Sequence, residues 1–504
     1  MIPLLLGGEM PHWSDTDPAG GAALATLAAA ARGHTLIVGP HSFPLIDAVP
    51  ARQITVLVRG VPDAEALAAR YASRAGFEVC CGSLEKLAAV PAYDTVLALD
   101  GLDRTVTTES DGLTWEDSLG ALLAVLRPGG QLLLGRENPA GLHRLLALSE
   151  EPGSGDWDGG DRGAPANLPQ LRERIVGAGM SVLRDYAAYP SPRSPRLLAS
   201  SAALGDRSLH GFFSGALRRA GTPEGPVLAD PRPVAVQMLN SDLAADLAPG
   251  WFVLAAKGGQ ATLPEVVLAT ESGPVHHLNR TSQGWTQQAT KPDSPLSAPT
   301  GGSSLGAPSP MPAGWNLFDA PSPVPAGWNL LDALLDAARG RDLPALRSLL
   351  TSWQGGELAG IDADEIVVGE DGRLHDLGLG ESQDPGPALR HFIEAAPGDL
   401  AELIEAMAGI EAAAGGAAIR PGVEAFREVA AAHDRLAREL GEAQTRINWY
   451  EQRLAVRDTE LARAYRIIAL LKGTVPGRAA TAVRGALRTG KKAARTALHQ
   501  IRKP

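Results

Sequence analysis

The chain has 504 residues, enough for two or three domains and a large core, and 44% of them are hydrophobic but only 5% aromatic. Its net charge of −11 argues against a protein built throughout to bind nucleic acid, but the balance is uneven: from Lys472 onward there are nine Lys or Arg and no acid, leaving −20 on the rest. No apolar run approaches the roughly 20 residues of a membrane span, which excludes an integral helical membrane protein.

In chain order, the opening MIPLLLGGEM lacks the basic region of a signal peptide, which points to a cytoplasmic protein. Residues 1–258 then alternate short apolar runs with helical ones. The expected strands are TLIVG, ITVLV, FEVCC, DTVLALD and QLLLG; AEALAARYASRAG and WEDSLGALLAVLRPGG between them carry helical spacing. Strands without polar alternation, separated by helices, predict an α/β domain with a doubly wound, mostly parallel sheet. Cys80 and Cys81 are adjacent in one such strand, so they make neither a disulfide framework nor a metal cluster, in keeping with a reducing cytosol.

Residues 259–325 are dominated by Pro, Ser, Gly and Thr, as in TKPDSPLSAPTGGSSLGAPSP, and read as a linker too polar to offset chain entropy. The stretch ends in a 13-residue duplication, APSPMPAGWNLFD followed by APSPVPAGWNLLD. The second copy runs into the helix NLLDALLDAARG, so the first reads as a duplicated helix entry; a docking peptide is the other reading. Residues 326–425 predict a small helical domain around a hairpin, DEIVVGEDGRLHDLG, with EDG as the turn.

Within 426–472, positions from Val429 to Leu471 alternate spacings of four and three, and most are apolar: Leu436, Leu440, Ile447, Tyr450, Leu454, Leu461 and Ile468 among them. Such heptads predict a coiled coil and hence a homo-oligomer, dimer or trimer. The tail, 473–504, sets Val475, Val483, Leu487, Leu498 and Ile501 among basic residues. It predicts a basic amphipathic helix lying on an anionic membrane at the inner face of the cell membrane; a disordered basic arm or a nucleic-acid contact are the rivals.

The first segment resembles class I S-adenosylmethionine-dependent methyltransferases. YDTVLALDGLDRT is similar to their fourth strand and following loop, and LLAVLRPGGQLLLGRENPAGL to their helix, Pro-Gly-Gly turn and fifth strand. Glu137, Asn138, Gly141, Leu142, Tyr189, Pro190 and Lys257 match, in order, a branch found with bacterial surface-polysaccharide genes. Some members of that branch carry a kinase-like domain, a coiled coil and a basic membrane-binding tail, as O-antigen chain-terminating methyltransferase/kinases do. The resemblance implies a Rossmann-like methyltransferase fold, S-adenosylmethionine as cofactor, a cell-surface glycan or related precursor as acceptor, and glycosyltransferases as partners. It also makes 326–425 a kinase remnant, with Asp376, Leu377 and Gly378 where an Asp-Phe-Gly falls. An active kinase is not expected: no His-Arg-Asp run is present, and Glu365 stands where a metal-binding Asn belongs.

Holding that cofactor asks for glycines after the first strand, an acid at the end of the second, and a polar residue after the third. Gly39 meets the first need, although His41 and Phe43 replace later glycines. Arg59 stands where the acid is expected, Ser83 follows the third strand, and Asp100 follows the fourth. Gly39, Arg59, Ser83 and Asp100 are therefore the candidate cofactor contacts. His41, Asp100 and Glu137 are the candidate catalytic residues, with His143 beside them by position; no metal site is expected, and the pair His276–His277 has no ligand-spaced partners. The alternative is a scaffold that has lost the cofactor and assembles glycan-synthesis partners through its coiled coil.

Overall fold

The computed structural model describes residues 1–396 apart from 108, 111–112, 148–162, 221–226, 259–262, 271–272, 293–314, 318–320 and 381–383. The heptads and the basic tail lie outside the described residues.

β1 (Leu4–Gly7), α1 (Ala22–Ala28), β2 (His34–Val38), α2 (Phe43–Asp47), β3 (Gln53–Val58), α3 (Val61–Arg70), β4 (Phe77–Gly82), β5 (Tyr93–Ala98), α4 (Trp115–Val125) and β6 (Leu126–Glu137) build the first half. Their six strands are parallel, in the order β1-β4-β3-β2-β5-β6. β3 and β4 therefore stack to one side of β2, and β5 and β6 to the other. Where the order reverses, the loops leaving β2 and β5 diverge, and this switch point is the ligand-binding edge of such sheets.

α5 (Leu142–Leu145), α6 (Leu168–Gly177), β7 (Ser181–Tyr189), β8 (Leu197–Ala199), α7 (Ser201–Leu204), α8 (His210–Arg219), α9 (Pro231–Asn240) and β9 (Gly250–Ala256) follow. β9 enters between β6 and β7, antiparallel to both, with every residue buried. A large, mostly parallel sheet covered by helices is the Rossmann-like layout expected for the first segment.

Strand alternation supplies two cores. Leu36, Val38, Val96, Ala98, Leu132 and Leu134 face α4, α6, α8 and α9. Ile37, Leu97, Leu99, Leu133, Ile54 and Val56 face α1, α2 and α3. Cys80 belongs to the first core and Cys81 to the second, because successive strand residues point to opposite faces. α4 begins with a capping box, the Thr114 hydroxyl accepting from the Asp117 amide while the Asp117 carboxylate accepts from the Thr114 amide. At the following reversal Gly129 is left-handed at φ +80°, and a Cβ on Gly130 would lie 2.9 Å from the Arg127 carbonyl oxygen, so the Gly-Gly pair is required there.

The folded sheet runs past residue 258, which corrects the linker boundary. β10 (Val266–Ala269), β11 (Val275–Thr281) and β12 (Gly284–Pro292) continue it antiparallel from β8, and β13 (Trp315–Leu317) and β14 (Ser322–Pro323) both pair with β12. His276 and His277 lie inside β11 and are buried; Gln287 bonds the His276 Nδ1.

A smaller core follows, from β15 (Gly327–Asn329), α10 (Leu330–Arg339), α11 (Leu343–Gln354), β16 (Ile366–Gly369), β17 (Leu374–Asp376) and α12 (Pro385–Ala395), centred on Leu334, Trp353 and Phe392. β16 and β17 form a hairpin around Gly372, where the sequence reads one, and β15 adds a third strand. Both copies of the 13-residue repeat thus place Trp-Asn in a strand, the first on β12 and the second on β16. The described part of the first copy, Trp315–Leu317, is accordingly a strand of the sheet rather than a leftover helix entry.

Candidate functional site

The switch point is built from the loops after β2, β3, β4, β5 and β6. Gly39 leaves β2 with φ +89°, and a Cβ there would find nothing nearer than 3.9 Å, the Asp100 Cβ and Thr105 Cγ2. The left-handed backbone needs the glycine, and a Cβ there would make ordinary contact with Asp100 and Thr105. His41, two residues on, is buried: its Nδ1 donates to the Gly39 carbonyl at 3.0 Å and its Nε2 accepts from the Leu99 amide at 3.3 Å. Burial lowers its pKa to about 4, against the Gly39 bond that raises it, so the ring is neutral. Both nitrogens are spent tying the β2 loop to the end of β5; general-base work would require breaking one of those bonds. Phe43 turns away from this point, 38% exposed and edge-on to Tyr71.

At the end of β3, Arg59 is 5% exposed and grips a carboxylate the sequence reading had not singled out, that of Asp15. The contacts are Nε at 3.2 and 3.1 Å and Nη2 at 2.6 Å, while Nη1 donates to the Val106 carbonyl and the Trp13 ring covers the guanidinium. Asp63, in the first turn of α3, accepts from the Asp15 amide and the Ser14 hydroxyl. Ser83, after β4, is buried and donates to Glu85, which also accepts from Ser110.

After β5, the Asp100 side chain is 1% exposed and receives Arg104 through Nε at 2.6 Å and Nη2 at 2.9 Å, with Arg193 Nε at 3.4 Å. Burial raises its pKa to about 6; the two arginines pull the other way. At the end of β6, burial would likewise raise Glu137, but hydrogen bonds from His143 (3.1 Å) and Arg144 (2.7 Å) outweigh it and hold the carboxyl at about 2. Glu137 is thus a fixed anion rather than a proton carrier near neutrality. Asn138 is fully buried and braces the loop: its amide donates to the Asp246 and Ala248 carbonyls and its oxygen accepts from the Ala140 amide. Lys257 is exposed just past β9.

Gly39, His41, Arg59 and Asp100 therefore meet at one edge, bridged by Asp15, Arg104 and Arg193. Glu137 reaches this charge network through Arg193, whose cationic form it favours. Ser83 sits farther along, hydrogen-bonded among residues of its own loop. The acids in PHWSDTDPAG, ahead of the first helix, were the available signal for Asp15, but a short polar segment carries no period that would place it over strand ends.

A second charged cluster joins the large sheet to the small core. Arg219, at the end of α8, pairs with Asp362 (2.9 Å), Asp364 (3.3 Å) and Glu365. His391 bonds Asp362 at 3.3 Å. Burial lifts Glu365 to about 7, with Arg219 opposing. Asp376, in the kinase-like hairpin, is exposed and accepts from the Gly378 amide. Arg219 supplies the positive charge at this cluster.

No protein-family model matches the chain, and no curated protein matches it. Solved structures similar to it include a methyltransferase in complex with the Haloferax volcanii Trm112 methyltransferase activator, at 13% identity over 47% of this chain and 90% of that one, TM-score 0.30. The N-methyltransferase NodS from Bradyrhizobium japonicum WM9, in complex with S-adenosylhomocysteine, aligns at 12% identity over 34% and 76%, TM-score 0.25. The Burkholderia thailandensis 1,6-didemethyltoxoflavin-N1-methyltransferase aligns at 15% over 47% and 79%, TM-score 0.25. Scores this low carry no argument, and the fold rests on the strand order above. No described helix is long and apolar enough to cross a membrane.

Proposed function

We propose that the chain is a methyltransferase-type protein whose β2–β5 switch point takes S-adenosylmethionine, and that its acceptor is a cell-surface glycan or related precursor near the cytoplasmic membrane. The observation that carries the reading is Gly39, left-handed and packed beside the buried Asp100 where the strand order reverses. That half of the site offers the amino-acid end of the cofactor a tight backbone bend and, in Asp100, a carboxylate that would have to exchange Arg104 for the ligand ammonium. The β3 end does not present the acid that ribose hydroxyls need; Arg59 is a donor, and its fork already holds Asp15. The glycan acceptor and the membrane rest on the ordered motif resemblance and the basic tail. Titration calorimetry of the full chain with S-adenosylmethionine and S-adenosylhomocysteine tests the cofactor; no heat and no thermal shift at millimolar ligand refute it.

A second reading is a scaffold without cofactor that gathers glycosyltransferases through a coiled-coil homo-oligomer. The Arg59–Asp15 pair favours it, because a bidentate buried ion pair is a stable substitute for a ligand. Retention of glycosyltransferase binding by a chain that does not respond to either adenosyl compound is the outcome that selects it.

A further inference from the structure

The stretch Met10–Ala19 runs across the C-terminal edge of the sheet and touches the loops after β2, β3 and β5. The Met10 amide donates to the Arg59 carbonyl and the Val61 amide to Met10; the Ala19 amide donates to Pro40 and the Ser42 amide to Ala19. Arg104 donates to the Thr16 and Asp17 carbonyls, and Asp63 receives Ser14 and the Asp15 amide. At its centre the Asp15 side chain is 2% exposed, held by Arg59 with Arg104 Nη1 at 4.0 Å. Arg59 makes this an anion site, because a desolvated arginine is costly unless an anion meets it, and Arg104, whose hydrogen bonds go to Asp100, adds its charge from 4.0 Å.

We propose that this segment is a built-in occupant of the switch point: Asp15 fills an anion site made by Arg59 and Arg104, and the carboxylate of an amino-acid-bearing nucleoside cofactor displaces it. The inference rests on reading the switch point as a cofactor site. The segment suits exchange. Six of its ten residues are exposed, and its apolar burial is confined to Met10 and Ala19 at the two ends and to Trp13 on the Arg59 guanidinium, so polar contacts hold its middle. A ligand carboxylate restores to the two arginines the charge that Asp15 withdraws, while the strand loops, braced by His41 and Asn138, stay in place. The affinity seen by titration is then the intrinsic affinity multiplied by the fraction of molecules in which the segment is open.

The test uses the full chain, wild type and Asp15→Asn, titrated with S-adenosylhomocysteine and with 5′-methylthioadenosine, which has the same nucleoside and thioether without the amino-acid end. Asp15→Asn is expected to bind S-adenosylhomocysteine at least tenfold more tightly than wild type, with methylthioadenosine changed less than threefold. Equal S-adenosylhomocysteine affinity in the two proteins overturns the displacement and leaves the cofactor reading standing. An equal gain for both compounds overturns the carboxylate assignment. Absence of binding in all four titrations removes the cofactor reading and this inference together. Should the variant not fold, amide hydrogen exchange of the wild type decides: saturating S-adenosylhomocysteine must speed exchange across residues 10–19, and unchanged or slower exchange refutes displacement.

Discussion

Gly215 lies on the face of α8 that seats the small core, and a Cβ there would stand 2.2 Å from the Asp364 carbonyl oxygen, where ordinary contact begins near 3.4 Å. Gly211, one turn earlier, is as confined, 2.6 Å from the Gly327 carbonyl. In Gly215→Ala the helix and the turn carrying Asp364 must separate by about 1 Å, since backbone cannot rotate aside as a side chain can. That movement stretches the Asn329 bonds to Asp364 (2.7 Å) and Gly211 (3.3 Å) and the Arg219 contacts to Asp362 and Asp364. Overpacking costs about 1–3 kcal/mol and each weakened hydrogen bond about 1 kcal/mol, against roughly 1 kcal/mol gained from helix propensity. A net loss of about 4–6 kcal/mol follows when all four contacts weaken. Gly120→Ala in α4 is the control, because its Cβ meets nothing within 4 Å and should stabilise by about 0.5–1 kcal/mol. Urea denaturation reads both variants, and hydrogen exchange at residues 362–368 locates the damage. Gly215→Ala as stable as Gly120→Ala, with unchanged exchange there, would falsify the seat.

Glu365 titrates higher in the folded state, from 4.5 to about 7, so its contribution is fully present below pH 4.5 and is lost as pH rises through 7. The stability of the wild type relative to Glu365→Gln is expected to fall by about 3 kcal/mol between pH 4.5 and 8; urea midpoints at several pH values measure it, and a flat or rising difference contradicts the burial argument. Asn138→Ala strands the Ala140 amide in the β6 loop and the Asp246 and Ala248 carbonyls ahead of β9, at about 2–4 kcal/mol. Its denaturation midpoint should fall well below that of a surface control such as Gln283→Ala, and equal midpoints would count against the brace.

Much of the fold was legible because burial on both faces leaves a plain mark. β2 to β6 are apolar runs of strand length, α3 and α4 carry helical spacing between them, and Pro128-Gly129-Gly130 announces the reversal. The hairpin of β16 and β17 was legible through its turn. β10 to β12 were misread as linker because the Pro- and Ser-rich stretch that follows dominates the composition. Gly284, which closes the β11–β12 turn at φ +116° between two runs of strand length, was the signal passed over.

The sequence by itself determined which runs of the first half are strands and which are helices, and that glycine must leave β2, since these follow from local sterics and from partition between water and core. Only the tertiary structure decided what meets at the strand ends. Asp15 and Arg59 are 44 residues apart, and Asp100 and Arg193 are 93 apart. Whether an arginine at a strand end faces a ligand or a carboxylate of its own chain depends on long-range closure, and no local period records it. The same holds for Gly211 and Gly215, ordinary helix residues until the small core sets two carbonyl oxygens against them.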